Sequence, residues 1–465
     1  MSTGVFSVDL LRRSIRAQVI GPADAGYDEA RAVWNGSIDR RPLAVVRPAD
    51  TAEVAEAVAA IRAGGADLTV RGGGHNYAGH AVADGAVMLD LSKLDSVLVD
   101  PVRLRARCGG GATWAELDGM ANRQGLAVTG GFISDTGIGG LTLGGGLGWL
   151  TPLFGMSCDN LVAAEVVTAD GHVVAASMQE NQDLYWALRG GGGNFGIVTG
   201  FEFTLHEFGP MVQVALLWWP PSEAVGPLVE GQAVLMDLPA RHCGTINAIS
   251  CPPAPFVPEH WQGVPGFVVG IAGDRSANDL ADAVAPLRAL TPTPAWELVA
   301  EMPYAALQQL FDGIAPWGTF AYEKSLYLDR IDAAVAEVMV EQYPRKHSPL
   351  SVMPSMPLCG RFCDVPEGNT AFGGSRDPGV LVNISASCPD PAVFAAEREW
   401  VREFWDELRP FARGDGSYVN FLADPGREQV AVSYGAKYRR LRTVKATWDP
   451  DNVFRHNANI TPAAP

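Results

Sequence analysis

The sequence predicts an α+β protein with two lobes. A ligand-binding domain is expected at 1–206 and a second α+β domain at 207–410, with a compositionally distinct segment at 411–465. Three observations carry this reading. The 465 residues, 47% of them hydrophobic, suffice for more than one sizeable core. Helix-like and strand-like runs alternate up to His206, interrupted by dense glycine clusters. Beyond Gly209–Pro210 the glycine runs largely disappear, and proline-rich connections such as CPPAPFVPEH at 251–260 replace them.

Asp50 is a helix cap with Glu53 three places on, and Val54, Val58 and Ile61 then share one helical face until Gly64 and Gly65. Leu68 to Val70 reads as a buried strand running into RGGGHNYAGH at 71–80, and Val87 to Leu91 as another. Thr113 and Glu116 can cap a helix carrying Leu117 and Met120. Residues 130–148 form a glycine-dense loop system, and AAEVVTADGHVVAAS at 163–177 reads as a hairpin turning at Asp170–Gly171. A short helix, a third glycine loop and a strand with Phe201 and Phe203 complete the first domain. In the second, strands at Val212–Trp218, Phe267–Ile271 and Val380–Ile384 alternate with helices at Ala281–Leu290, Ala333–Tyr343 and Pro391–Leu408. The basic run from Lys437 to Lys445 reads as a helix face.

The net charge of -17 and the lack of a large basic patch argue against nucleic acid as partner. No run of about 20 apolar residues suggests a membrane span. The N-terminus MSTGVFSVDLLRRSIRAQ lacks a signal-peptide pattern, so a cytoplasmic location is the expectation. Seven scattered cysteines argue against a disulfide scaffold. Cys359 and Cys363 lack a second ligand pair, so no metal is expected.

Three glycine loops carry the chemical signal. They are Arg71, Gly72, Gly73, Gly74 and His75; the run from Gly137 through Gly139, Gly140, Gly144 and Gly145 to Gly148; and Arg189 to Val198 with Gly192, Asn194 and Gly196. Each exposes N–H donors and leaves no side chain to push a planar ligand away. Three such loops in about 130 residues point to a large phosphate-bearing cofactor. The dinucleotide fingerprint of the doubly wound fold is not placed properly by any of them, and the triphosphate-loop motif is missing. Tyr418, Asn420, Asn457 and Asn459 in the last segment could reach back to a ring system, although caps and turns explain them nearly as well.

Four stretches together resemble the berberine-bridge-enzyme-like group of the vanillyl-alcohol-oxidase-type flavoproteins: RPADTAEVAEAVAAIRAGGADLTVRGGGHNYAGH, TGIGGLTLGGGLGWLTPLFGMSCDNL, NQDLYWALRGGGGNFGIVTGFEF, and YVNFL with AKYRRLRTVKATWDPDNVFRHNANI. The resemblance spans essentially the whole chain. It implies a two-lobed FAD domain made from both chain ends, and a substrate domain with an antiparallel sheet backed by helices. It places FAD at Arg71 to Asn76, Gly79, His80, Thr136, Gly137, Gly139, Gly140, Gly144, Gly145, Asn160, Gly192, Asn194, Gly196, Ile197, Val198, Tyr418, Asn420 and Asn457. His75 would bond to the flavin 8α-methyl. Many relatives add a cysteine bond to flavin C6; here the corresponding loop holds Phe132, Ile133 and Ser134, so a single link is expected. One link implies more room over the ring and a less oxidising flavin.

The resemblance implies oxidation of a small organic substrate, a secondary-metabolite alcohol or related group, with O2 returning the flavin to its oxidised form and yielding H2O2. A dehydrogenase, an oxidative cyclase, a carbohydrate oxidase and a non-catalytic binding protein share the same loops and stand as alternatives. Monomer or homodimer is the default. The family's motif ending in a catalytic tyrosine has Phe421 in that place, which leaves Tyr418 as the tyrosine beside the ring. A second candidate is AYEKSLYL at 321–328, where alternation puts Tyr322 and Lys324 on one face and Glu323 on the other. Tyr322 and Lys324 are taken as the pocket pair, since an ammonium stabilises a phenolate. Trp149 and Phe421 are expected to wall the substrate pocket.

Overall fold

The computed structural model describes residues 6–274, 280–424 and 426–464. Among these the strands form a four-stranded, a five-stranded and a seven-stranded sheet and a two-stranded ribbon. The first is parallel in its main part: Ala44–Arg47 and Asp67–Arg71 flank Ala86–Asp90, and Gln18–Ile20 adds an antiparallel edge. Crossover between parallel strands needs a covering helix, and Thr51–Ala63 supplies it. Asp50 accepts from the Glu53 N–H at this helix's start, while Val54, Ala57, Val58 and Ile61 are wholly buried. The parallel strand Asp67–Arg71 therefore delivers the chain into the first glycine loop from a fixed direction.

The five-stranded sheet is antiparallel, ordered Val97–Asp100, Arg105–Gly109, Ile197–Thr204, Leu161–Val167, Val173–Ser177. Its last hairpin turns at Asp170–Gly171, where Gly171 has φ +82°, a left-handed conformation that favours glycine. The helix Trp114–Asn122 carries the Thr113–Glu116 capping box. Leu117 is buried but Met120 is 41% exposed, so the inward face runs through Leu117 and Ala121 instead.

The seven-stranded sheet is antiparallel throughout, in the order Trp296–Pro303, Met211–Trp219, Pro265–Asp274, His242–Ser250, Met353–Leu358, Gly379–Cys388, Phe320–Leu328. Helices Val225–Met236, Leu280–Arg288, Ala333–Gln342 and Phe394–Leu408 join one core cluster with side chains of this sheet. Pro391 opens a 3-10 turn, Pro391–Val393, before the last of these helices begins. The molecule is thus an α+β protein of two domains, and the chain end returns to the first. Leu441 and Val444 of the helix Tyr438–Trp448 pack in one core with Tyr185 and Phe195.

That final helix holds a surprise for the basic run. Lys445 is fully buried. Its ammonium donates to Asn194 O at 2.6 Å, Phe454 O at 3.0 Å and the Asp449 carboxylate at 2.6 Å. Removing one partner of such a pair costs about 3–5 kcal/mol, so this contact ties the C-terminal turn to the third glycine loop.

Candidate active site

One cavity collects the three glycine loops, the C-terminal turn and one face of the seven-stranded sheet. Gly72, Gly73, Gly74, His75, Asn76 and His80 line it from the first loop, and Thr136, Gly137, Gly139 and Gly140 from the second. Gly192, Asn194, Gly196, Ile197 and Val198 line it from the third, with Asn420, Phe421 and Asn457 from the last segment.

The first two loops meet backbone to backbone. A Cβ on Gly73 would lie 2.2 Å from Gly137 N, and one on Gly137 would lie 2.2 Å from Gly73 N. Only glycine permits that approach. Gly140 and Gly193 line the cavity and have no atom within 4 Å of where a Cβ would stand, so their backbones face open space.

His75 sits between two tryptophans, stacked on Trp34 with centroids 5.6 Å apart and edge-on to Trp317 at 5.7 Å. Its Nε2 is buried and lies 3.0 Å from Asp135 Oδ1, off the line a ring N–H bond would take. Burial by itself would raise the Asp135 carboxyl. His75 and the Trp317 N–H, which donates to Asp135 at 2.6 Å, hold it below the usual range instead. His80 is buried among Arg40 and His456, and its pKa falls to about 4, so it stays neutral.

Several expected residues lie elsewhere. The Arg71 guanidinium turns away from the cavity to Ala30 O at 3.1 Å and over the Trp317 ring. Gly79 O accepts from Arg40, outside the cavity lining. Gly144 is packed against the Asn420 side chain, and Gly145 against Met156, Phe372 and Tyr418. Asn160 does not reach the cavity: its amide donates to Phe154 O and Met156 O, and its oxygen pairs with His206. Its neighbour Asp159 forms a two-pronged buried bridge to Arg376, both distances 2.8 Å. Trp149 stands one layer back, stacked at 6° on Phe311, which does line the cavity.

The catalytic candidates are corrected most. Tyr418 is 1% exposed, and its oxygen accepts from Gly146 N–H at 2.7 Å and Asn420 Nδ2 at 2.8 Å. Burial raises its pKa further from neutrality. Tyr418 is a brace for the second loop, not a base. Tyr322 and Lys324 do share a face, but it is the face turned to the helices. Arg398 and Arg402 lie over the Tyr322 ring at 5.1 and 5.3 Å, and Lys324 Nζ lies 4.0 Å from the Trp405 ring centroid.

Glu323 therefore faces the cavity, 1% exposed. Oε2 accepts from Asn383 Nδ2 at 2.8 Å, and Oε1 has no hydrogen-bond partner. Burial raises its pKa well above the usual carboxylate range, with the Asn383 bond opposing. Beside it the Tyr77 hydroxyl meets Ser385 Oγ at 2.8 Å, joining the first glycine loop to the sheet. Tyr77, Glu323, Asn383 and Ser385 went unread in the sequence. The alternation of 321–328 separated Glu323 from its neighbours but gave no sign of which face was inward, and Tyr77 lay inside the HNYAGH run. Among the described residues lining the cavity, Glu323 is the sole carboxylate and no lysine or arginine appears.

Two family models match the chain: an FAD binding domain over residues 42–177 and a berberine and berberine-like domain over 417–461. (R)-6-hydroxynicotine oxidase of Paenarthrobacter nicotinovorans is 32% identical over 460 residues, 97% of this chain and 97% of that protein. The chain belongs to the berberine-bridge-enzyme-like FAD-linked oxidoreductases. The crystal structure of 6-hydroxy-D-nicotine oxidase from Arthrobacter nicotinovorans superposes with a TM-score of 0.84 at 28% identity, covering 97% of this chain and 99% of that one. Glucooligosaccharide oxidase from Acremonium strictum, whose FAD is described as 6-S-cysteinyl, 8α-N1-histidyl, shares the fold with a TM-score of 0.85 at 23% identity over 99% and 100% of the two chains.

This FAD-dependent oxidoreductase fits its cofactor through backbone. With no lysine or arginine among the described lining residues, a pyrophosphate would be held by N–H groups of the glycine loops. Thr69 Oγ1 and Asn457 Oδ1 border the cavity, buried and without partners, as expected of groups that meet a polar ligand. Leu68, Val70 and Phe454 supply apolar walls.

Proposed function

We propose that this enzyme is an oxidase carrying one FAD bonded through His75 alone, acting on a largely apolar small molecule that bears an oxidisable alcohol or amine. The chain would divide as 1–206 and 411–465 for FAD and 207–410 for substrate. When bound, FAD would supply the hydride acceptor, and O2 would take up the electrons as H2O2. Ile133 lines the cavity in the loop where doubly linked relatives place a cysteine, and Cys158 is fully buried outside it; both support the single link.

The observation that carries the substrate reading is Glu323. Its free Oε1 is suited to take the O–H or N–H proton of the donor, as a base held in place by Asn383. A raised pKa makes the ionised form a stronger proton acceptor. A cavity whose described lining has one acid and no lysine or arginine disfavours anionic substrates and accepts neutral or cationic ones. Ile249, Val352, Pro354 and Met356 on the same sheet face make the rest of the wall apolar. The relative named as a hydroxynicotine oxidase, hydroxynicotine being a cyclic amine, makes cyclic amines the first panel to test, followed by secondary-metabolite alcohols.

The deciding experiment is intact mass and visible spectrum after acid precipitation, followed by a peroxide-release screen. A yellow pellet with one added FAD, lost in His75→Ala, is expected. Colour released wholly to the supernatant would overturn the covalent link. Peroxide from carbohydrates but neither amines nor apolar alcohols would overturn the substrate class.

A further inference from the structure

Asp135 contacts the cofactor-linking histidine and a residue of the other domain at the same time. Its Oδ1 lies 3.0 Å from His75 Nε2, and its Oδ2 accepts from Trp317 Nε1 at 2.6 Å. Trp317 belongs to the connection just before the strand Phe320–Leu328 and is 45% exposed. The same connection is stitched to the His75 loop by backbone. Trp34 N donates to Gly74 O at 3.1 Å, Gly318 N to Trp34 O at 3.0 Å, and Gly36 N to Thr319 O at 2.9 Å. Asn35 Nδ2 bridges Tyr77 O and Ala321 O. These contacts hold His75 in a slot made by both domains.

His75 Nε2 is buried 3.0 Å from the Asp135 carboxylate, and a small turn of the ring would bring an Nε2–H into line with it, which favours the tautomer with hydrogen on Nε2. Nδ1 then keeps its lone pair and is the ring nitrogen left for the cofactor. We propose that Asp135, held by Trp317, is the positioning residue for covalent attachment: it fixes the His75 tautomer and balances the positive charge that grows on the imidazole as Nδ1 forms its bond. The inference rests on the His75 link proposed above. In the net reaction an N–C bond forms between Nδ1 and the flavin 8α-methyl carbon, and one methyl C–H bond breaks. The methyl hydrogen and the Nε2 hydrogen leave as protons. The electron pair of the broken C–H bond enters the flavin, and O2 takes that pair with two protons as H2O2.

The role parallels that of the carboxylate behind a catalytic imidazole, which orients the ring and stabilises its cation without touching the reacting atom. Docking of the substrate domain would then gate the linkage, because Trp317 comes from that domain.

The test uses the full-length wild type, Asp135→Asn, Asp135→Glu, Trp317→Phe and His75→Ala, each purified with FAD. Total bound flavin, the acid-stable fraction, and the growth of that fraction on aerobic incubation with excess FAD are measured. Wild type should be fully acid-stable and His75→Ala fully releasable. Asp135→Asn should bind as much FAD but link it at least about tenfold more slowly, the effect of losing one close opposite charge. Asp135→Glu should recover part of the rate, and Trp317→Phe should fall between. Linkage by Asp135→Asn at the wild-type rate overturns the proposal, as does a parallel loss of all FAD binding in that variant. If wild type itself releases its FAD, the His75 link fails first and this inference with it.

Discussion

The two halves of the cavity are built from different materials. On the side proposed for the cofactor the groups on offer are main-chain N–H groups presented by glycines, and a glycine's contribution does not depend on which way a side chain points. On the side proposed for the substrate the groups on offer are side chains of a sheet, and every role proposed for them depends on face. Neighbours in one strand make the contrast sharp: Glu323 faces the cavity, while Lys324 faces Trp405. A backbone-built site is written in composition and spacing; a face-built site is written only once the packing partner is known.

The largest expected effect breaks the backbone half. Gly73→Ala places a Cβ 2.2 Å from Gly137 N, where no flexible side chain can give way. We expect about 3 kcal/mol of lost stability and loss of bound flavin, read by thermal unfolding and the absorbance of purified protein. Gly140→Ala sharpens the point. With nothing within 4 Å of the new atom, its melting temperature without flavin should be unchanged, and only flavin retention should fall. Equal destabilisation of both variants would show that loop packing, and not access to a ligand, explains the glycines.

Next is Glu323→Gln, which keeps shape and removes the base. A positioned general base contributes about a hundredfold to ten-thousandfold, so kcat/KM on the best amine or alcohol should fall by that order. Because the folded carboxyl is raised, wild-type kcat/KM should climb with pH until Glu323 ionises, and the variant should lose that limb. An unchanged profile would remove Glu323 from the chemistry.

How far the sequence could be read follows the same division. Asp50 with Glu53 and Thr113 with Glu116 announced their helices through local capping, and both caps are present. The glycine loops announced a cofactor for the reason given above. Contacts between distant residues carried no local signal. Asp135 and Trp317 are 182 residues apart, and Lys445 meets Asn194 across 251. Tyr418 was legible as important, yet its hydroxyl spends both acceptor positions on Gly146 and Asn420, which only the fold reveals.

Where the two domains meet, a smaller effect is expected. Asp118 of the helix Trp114–Asn122 is buried against Gln308 of Tyr304–Gln308, whose amide donates at 3.1 Å. Burial raises the Asp118 pKa to about 7, with the Gln308 bond opposing. Unfolded, the carboxyl titrates near ~4. Between these values the folded protein holds one proton more, so this group's contribution is full below ~4 and is lost as pH rises to about 7. Asp118→Asn should remove a slope worth on the order of a few kcal/mol across that window, leaving the variant the more stable at pH 8. Denaturant unfolding at pH 5 and 8 measures it; a wild-type slope retained in the variant would reassign it to another group.

The smallest effect tests the face assignment most directly. Lys324 was the attractive partner for a tyrosine base, and it sits one residue from Glu323. Burial lowers its pKa, opposed by Asp406, and its ammonium lies on the Trp405 ring. Such a contact contributes about 0.5–1 kcal/mol at a half-exposed site. Lys324→Met keeps the stem and removes the charge, so it should lower stability by about that amount while kcat, KM and the peroxide yield stay at wild-type values. Set beside Glu323→Gln, the pair reads strand parity through kinetics. A large loss at 323 with none at 324 places the sheet as described here. A kinetic loss at 324 matching that at 323 would mean that the helix face communicates with the reacting centre, and the division between a packing face and a working face would have to be redrawn.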